Sequence, residues 1–205
     1  MPLTPELVRT FWLAHTTQFK ASVKKKDQST LMQDVAKVLG ELKIQDPWVF
    51  LKDFVTTLSF GPLGGNTIYV PFEIGDESTG WTLWNQIRVC THECQHLVQA
   101  EREGWAEFDV KYVTSSSCRA GYEAEAFGSE IELEHWRSDK FDIDQFVQYR
   151  PNVLQLYSCS DADIQTAREI LTARAMVTKQ GAVECKSALI AIGWLNTYVP
   201  DLQEW

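Results

Sequence analysis

Residues 81–102 read WTLWNQIRVCTHECQHLVQAER, and inside them stands His92-Glu93-Cys94-Gln95-His96, the pattern H-E-x-x-H. No glycine or proline interrupts the stretch, and its apolar residues recur at three- and four-residue steps, so it predicts a helix from Trp81 to about Arg102. On a helical wheel Trp84, Ile87, Cys90, Cys94, Leu97 and Val98 form one arc, with Asn85, His92, His96 and Gln99 on the opposite one. Residues four apart lie one turn apart on the same face, so both imidazoles can reach a single ion. Zinc takes imidazole nitrogen at about 2.0–2.1 Å in tetrahedral geometry, which leaves two positions for other groups. Glu93 is turned by about 100° from His92. That places it beside such an ion rather than on it, where a carboxylate can take a proton from bound water.

The third protein ligand must come from elsewhere. Cys118 to Arg137 predicts a second long helix, rich in glutamate. Glu123, Ala126 and Glu130 share one stripe of it, and the small Ala126 lets the two helices approach closely. Glu125 points away from Glu123, alongside Glu132 and Trp136. Glu123 is therefore the leading ligand, with Glu125 and His135 as the alternatives. Glu125, Glu132 and Glu134 read as a solvated acidic face, and Cys94 as a core thiol.

Outward from these helices the chain reads as α+β. Pro5–Lys20, capped by Thr4, and Ser29–Leu42 have helical spacing, and Asp46-Pro47 opens a short third helix. Lys24-Lys25-Lys26 between the first two reads as a solvated loop. Phe54–Phe60 and Asn66–Phe72 are β-rich and joined by a five-residue loop, Gly61–Gly65, the pattern of a hairpin, with Pro71 suiting an edge strand. Trp105–Val113 reads as a further strand, and Asp161–Lys179 and Val183–Asn196 as helices. The expected architecture is a small, mostly antiparallel sheet packed on helices in one domain, residues 1–205. N-terminal helices occupy 1–53, the sheet and site helices 54–137, and C-terminal helices 138–205. The C-terminus, Leu202-Gln203-Glu204-Trp205, is expected to pack against the domain or lie disordered, with an interaction tail as the alternative.

Composition narrows the partners. The 205 residues carry 28 Asp and Glu against 19 Lys and Arg, a net charge of −9. That balance argues against nucleic-acid backbones and anionic membranes. No stretch reaches the roughly 18–20 apolar residues of a membrane span, and the N-terminus lacks the features of a signal peptide. Five cysteines, an odd number with no C-x-x-C pair, suit a reducing, cytoplasmic location. Ser115-Ser116-Ser117 lacks the G-x-S-x-G setting of a serine nucleophile.

His92, Glu93 and His96, followed by Glu123 and Ala126 in an E-x-x-A setting, resemble the gluzincin branch of the zincin metallopeptidases. Gln99, which extends the motif to H-E-x-x-H-x-x-Q, and Tyr122-Glu123-Ala124-Glu125-Ala126 are similar to small zincin-like proteins of bacterial and phage genomes. The resemblance spans residues 81 to about 137. It implies a zincin-like fold, zinc held by His92, His96 and Glu123, and Glu93 as the base that activates water to cleave a peptide or protein substrate. It also implies that an edge strand, here Asn66–Phe72, binds extended peptide by β-augmentation. The chain has Phe127 where many members carry Asp, which leaves Asn85, Asp109 or Glu130 to orient a ligand. Tyr112, Tyr122, His135 and Arg119 are the candidates for steadying the oxyanion. The alternative is an inactive zincin-fold binding or assembly protein, for example a virion component.

Overall fold

A computed structural model describes residues 2–41, 47–59 and 65–204. The elements run α1 (Pro5–Gln18), β1 (Ala21–Lys25), α2 (Thr30–Glu41), α3 (Pro47–Asp53), β2 (Thr56–Ser59), β3 (Asn66–Val70), α4 (Leu83–Glu103), α5 (Trp105–Thr114), α6 (Ser116–Arg137) and α7 (Ile143–Tyr149). A 3₁₀ segment (Arg150–Tyr157), α8 (Asp161–Thr178), α9 (Lys186–Tyr198) and a last 3₁₀ turn (Pro200–Leu202) complete the chain. Helices dominate and one small sheet accompanies them, so the class is α+β. Leu42 and most of the loop expected between the two hairpin strands lie outside the described residues, as does Trp205.

The sheet is mixed rather than mostly antiparallel. Its order is β1-β3-β2, with β1 parallel and β2 antiparallel to β3. β3 is therefore the central strand, not the edge that Pro71 suggested. Its residues explain the position, because both faces are buried. Ile68 and Val70 pack with Val8, Phe11 and Trp12 of α1 and Ile87 of α4, while Tyr69 packs with Met32 of α2 and Phe50 of α3. Such two-sided burial belongs to an interior strand. Lys24–Lys26 is not a solvated loop either. Lys24 and Lys25 end β1, and Lys26 is completely buried.

Trp105–Val113 forms a helix, not a strand. Trp105, Phe108 and Tyr112 stand at i, i+3 and i+7, a helical spacing. Phe108 buries against Ala100 and Tyr122, whereas Val110 is 61% exposed. Gly104 makes the junction: at φ 92° it ends α4 and starts α5 in a backbone region that side chains disfavour.

α4 packs against α1, α5, α6, α9 and β2, and α6 against α4, α5, α8 and α9. α6 is thus enclosed on several sides, which overturns the reading of its carboxylates as a solvated face. Glu132 is 1% exposed and accepts from the backbone N–H groups of Glu184 (2.9 Å) and Cys185 (2.9 Å) at the start of α9. Glu134 accepts from Trp84 Nε1 (2.8 Å), and Glu125 from Gln95 Nε2 and Arg102. The C-terminal residues do pack down, with Glu204 N donating to Arg137 O (2.7 Å) and Leu202 joining the core. No helix among the described residues is long and apolar enough to cross a membrane.

Candidate metal centre

α4 runs 21 residues from a Thr82 cap, whose hydroxyl accepts from Asn85 N, and holds its histidines against α6. The apolar arc of α4 is buried as its pattern implies, with Ile87, Cys90 and Cys94 fully inaccessible. The polar arc is covered as well: His92 and His96 are each 6% exposed and Glu93 5%. What covers it is α6, through Phe127 against His92, together with Phe108 and Tyr112 of α5 against His96.

His92, His96 and Glu123 offer ligand atoms that all lie within 4.8 Å of one another. Glu123 Oε2 is 3.3 Å from His92 Nε2, and its Oε1 is 3.4 Å from His96 Nε2. Glu125 and His135 are not in this group. Glu125 faces Gln95 and Arg102 instead, and the buried His135 Nδ1 has no hydrogen-bond partner.

Each imidazole is oriented from behind. His92 Nδ1 is 2.8 Å from Glu130 Oε1, and His96 Nδ1 is 2.8 Å from the side-chain Oε1 of Gln99, whose Nε2 donates to Tyr122 O (2.8 Å). Donation from both Nδ1 atoms turns both Nε2 atoms to Glu123, so that each ring, once neutral, offers its Nε2 lone pair there, the tautomer a metal requires. Of the residues considered for ligand support, Glu130 therefore has the contact, and neither Asn85 nor Asp109 bonds to either ring. Glu130 is itself held by Arg150 Nη2 (2.9 Å) and Arg88 Nε (3.5 Å).

Electrostatics follow this packing. Burial alone would lower the His92 pKa, but the Glu123 and Glu130 carboxylates reverse the effect and raise it to about 10. His96 is raised too, against its burial, chiefly by the Glu123 charge. Burial opposes ionisation of Glu123, yet the two imidazoles hold its carboxyl well below the usual range. Three donors so disposed, two neutral imidazoles and a carboxylate, fit a divalent ion of the zinc type.

Glu93 stands beside the three donors. Thr57 of β2 donates its hydroxyl to Glu93 Oε2 (2.7 Å). Of the oxyanion candidates, Tyr112 donates to Glu123 Oε1 (2.5 Å) and Tyr122 to Glu103 Oε2 (2.5 Å), while Arg119 braces the backbone oxygens of Tyr112 and Tyr157. His135 has no link to the group. The residue that the sequence reading missed is Tyr157, at the end of the 3₁₀ segment. Burial first, then the charges of Glu123 and Glu93, push its phenol well above the ordinary tyrosine range. Among the described residues nothing hydrogen-bonds its hydroxyl. No motif marks Tyr157. Only its place after Pro151 and before Ser158, which turns the chain at φ 57°, could have flagged a fixed position.

Two grooves lie nearby, and neither is lined by the three donors. One, about 460 Å³, is bordered by Arg88, Arg150, Phe146 and Tyr149, behind Glu130. The other, about 690 Å³, lies over Gln95, Glu125 and Arg174. No protein-family model, curated protein or solved structure matches this chain.

Proposed function

We propose that this chain is a small zinc-dependent peptidase of gluzincin type, built on a zincin-like arrangement of α4 and α6. The observation that carries the reading is the convergence of His92 Nε2, His96 Nε2 and the Glu123 carboxylate, with Glu93 held alongside by Thr57. Zinc at those donors would supply Lewis acidity and bring the pKa of water towards neutrality. Glu93 is the base: Thr57 donates to Oε2, which leaves Oε1 to take a proton from water and return it to the leaving nitrogen. Tyr157, whose hydroxyl bonds to no described residue and which feels the charges of Glu123 and Glu93, is the phenol to steady the developing oxyanion. The outer edge of β2, which pairs with no other described strand, lies beside Glu93 and is the edge for an extended peptide substrate to pair with.

The test is Glu93→Gln in the zinc-loaded chain. Zinc content should stay the same while hydrolysis of a protein substrate falls about 10²–10⁴-fold, the usual contribution of a general base. Undiminished turnover in that variant would overturn the mechanism. A second reading, a metal-holding binding or assembly protein, is favoured by one observation: Glu123 is only 2% exposed and the other three residues 5–6%. A wild-type chain that keeps zinc through purification yet cleaves no peptide would support that alternative.

A further inference from the structure

We propose that Lys26 is a positioning residue for this site: it fixes the segment Phe54–Thr57, through which Glu93 and Tyr157 are held in place. The inference rests on the peptidase reading.

Lys26 has no solvent exposure. Its backbone N–H donates to Val70 O (2.8 Å) just past the end of β1, so the chain is tied to β3 there. From that point the side chain reaches three acceptors: Phe50 O (2.8 Å), Phe54 O (3.1 Å) and Thr56 Oγ1 (2.7 Å). Three donors meet three acceptors, which leaves the ammonium fully satisfied. Phe50 lies in the last turn of α3, where carbonyls lack helical partners and a cation is favoured. The Phe50 ring also lies 3.6 Å beneath Nζ.

The segment so anchored has two contacts with the site. Thr57, next to Thr56, donates to Glu93 Oε2. The Phe54 ring, on the residue whose carbonyl Lys26 holds, meets the Tyr157 ring edge-on at 5.4 Å. One residue thus joins the ends of β1, β3 and α3 to the strand that touches the base, its backbone holding β3 and its side chain α3 and β2. Burial of an ammonium is costly, and an apolar residue of similar length would fill the same volume more cheaply. What an apolar residue cannot do is hold Phe54 and Thr56 simultaneously. Burial pushes the Lys26 pKa down to about 7, partly offset by the charge of Glu93, which places the ammonium within electrostatic reach of the base.

The experiment is a double-mutant cycle in the full, zinc-loaded chain, assayed on internally quenched peptides of mixed sequence. Lys26→Met and Thr57→Val should each lower kcat about tenfold with KM and zinc content unchanged, and the double variant should lose the same tenfold rather than a hundredfold. Amide hydrogen exchange should quicken in Lys26→Met over residues 54–58 and stay unchanged elsewhere. Lys26→Gln, which keeps a donor, repeats the cycle should Lys26→Met fail to fold. Additive losses, exchange at the wild-type rate over 54–58, or a general quickening throughout the chain would overturn the assignment. A wild-type chain that cleaves nothing overturns the peptidase reading and this assignment with it. An active wild type matched by Lys26→Met overturns the assignment alone.

Discussion

Glu130 shows how much a single buried carboxylate settles. It sits 1% exposed, pairs with His92 Nδ1, and draws Arg150 and Arg88 onto its two oxygens. Its burial opposes ionisation, but Arg150 first, with His92 and Arg88, keeps it ionised far below the ordinary range. An anionic partner at Nδ1 raises the basicity of the ring and fixes Nε2 towards the metal. Glu130→Gln keeps the shape and an acceptor but removes the charge. It should weaken zinc binding about 10–100-fold, measured by competition with a chromophoric chelator. Wild-type affinity in that variant would mean that the charge is not transmitted through the ring. The Phe127 ring carries the Arg150 guanidinium at 4.6 Å. The support of His92 comes from Glu130, one turn along α6 from Ala126 and two from Glu123 on the same stripe.

At the scale of elements, the turn between α4 and α5 brings Tyr112 to Glu123. Gly104 takes φ 92° there, and a Cβ at this position would meet no atom within 4 Å. Gly104→Ala therefore tests backbone conformation alone. It should cost about 1–3 kcal/mol in urea unfolding, without the larger loss expected of a steric clash. The same elements mark how far the sequence could be read. α4, α6 and the shared face of His92 and His96 were legible because helical spacing is local and the motif lies within one turn, whereas Glu123 was one of three candidates because its meeting with α4 is tertiary. β1 was not, since Ala21–Lys25 offers one large apolar residue, Val23. Its pairing partner also lies 45 residues away in parallel register, Val23 against Ile68. α5 was missed because its aromatic and β-branched residues carry strand preference, and contact with Ala100 and Tyr122 overrode it. Tyr157 and Lys26 act through tertiary contacts that no spacing rule reports.

At the scale of the whole molecule, the site lies where two cores meet, with Leu133 of α6 already packed into the core of α4. α4 packs with α1, β3 and α9, whereas α6 packs with α7, the 3₁₀ segment and α8. An ion shared by His92, His96 and Glu123 would add a further link between those two cores. Its binding is also linked to protons. Without metal, the raised His92 pKa means that the imidazolium stabilises the fold fully below its ordinary value of 6.5, and that this contribution is lost as pH rises through about 10. A metal needs the neutral ring, so at pH 7.5 it must displace that proton. Zinc binding should therefore release at least one proton per chain at pH 7.5, and its affinity should climb with pH up to about 10. Titration calorimetry in two buffers of different ionisation enthalpy measures the release directly, and equal heats in both would refute it. The bound ion should in turn stabilise the whole chain by about 2.7 kcal/mol at a hundredfold excess over Kd. For a domain of this size that is a rise of about 5–11 °C in Tm, lost on chelation.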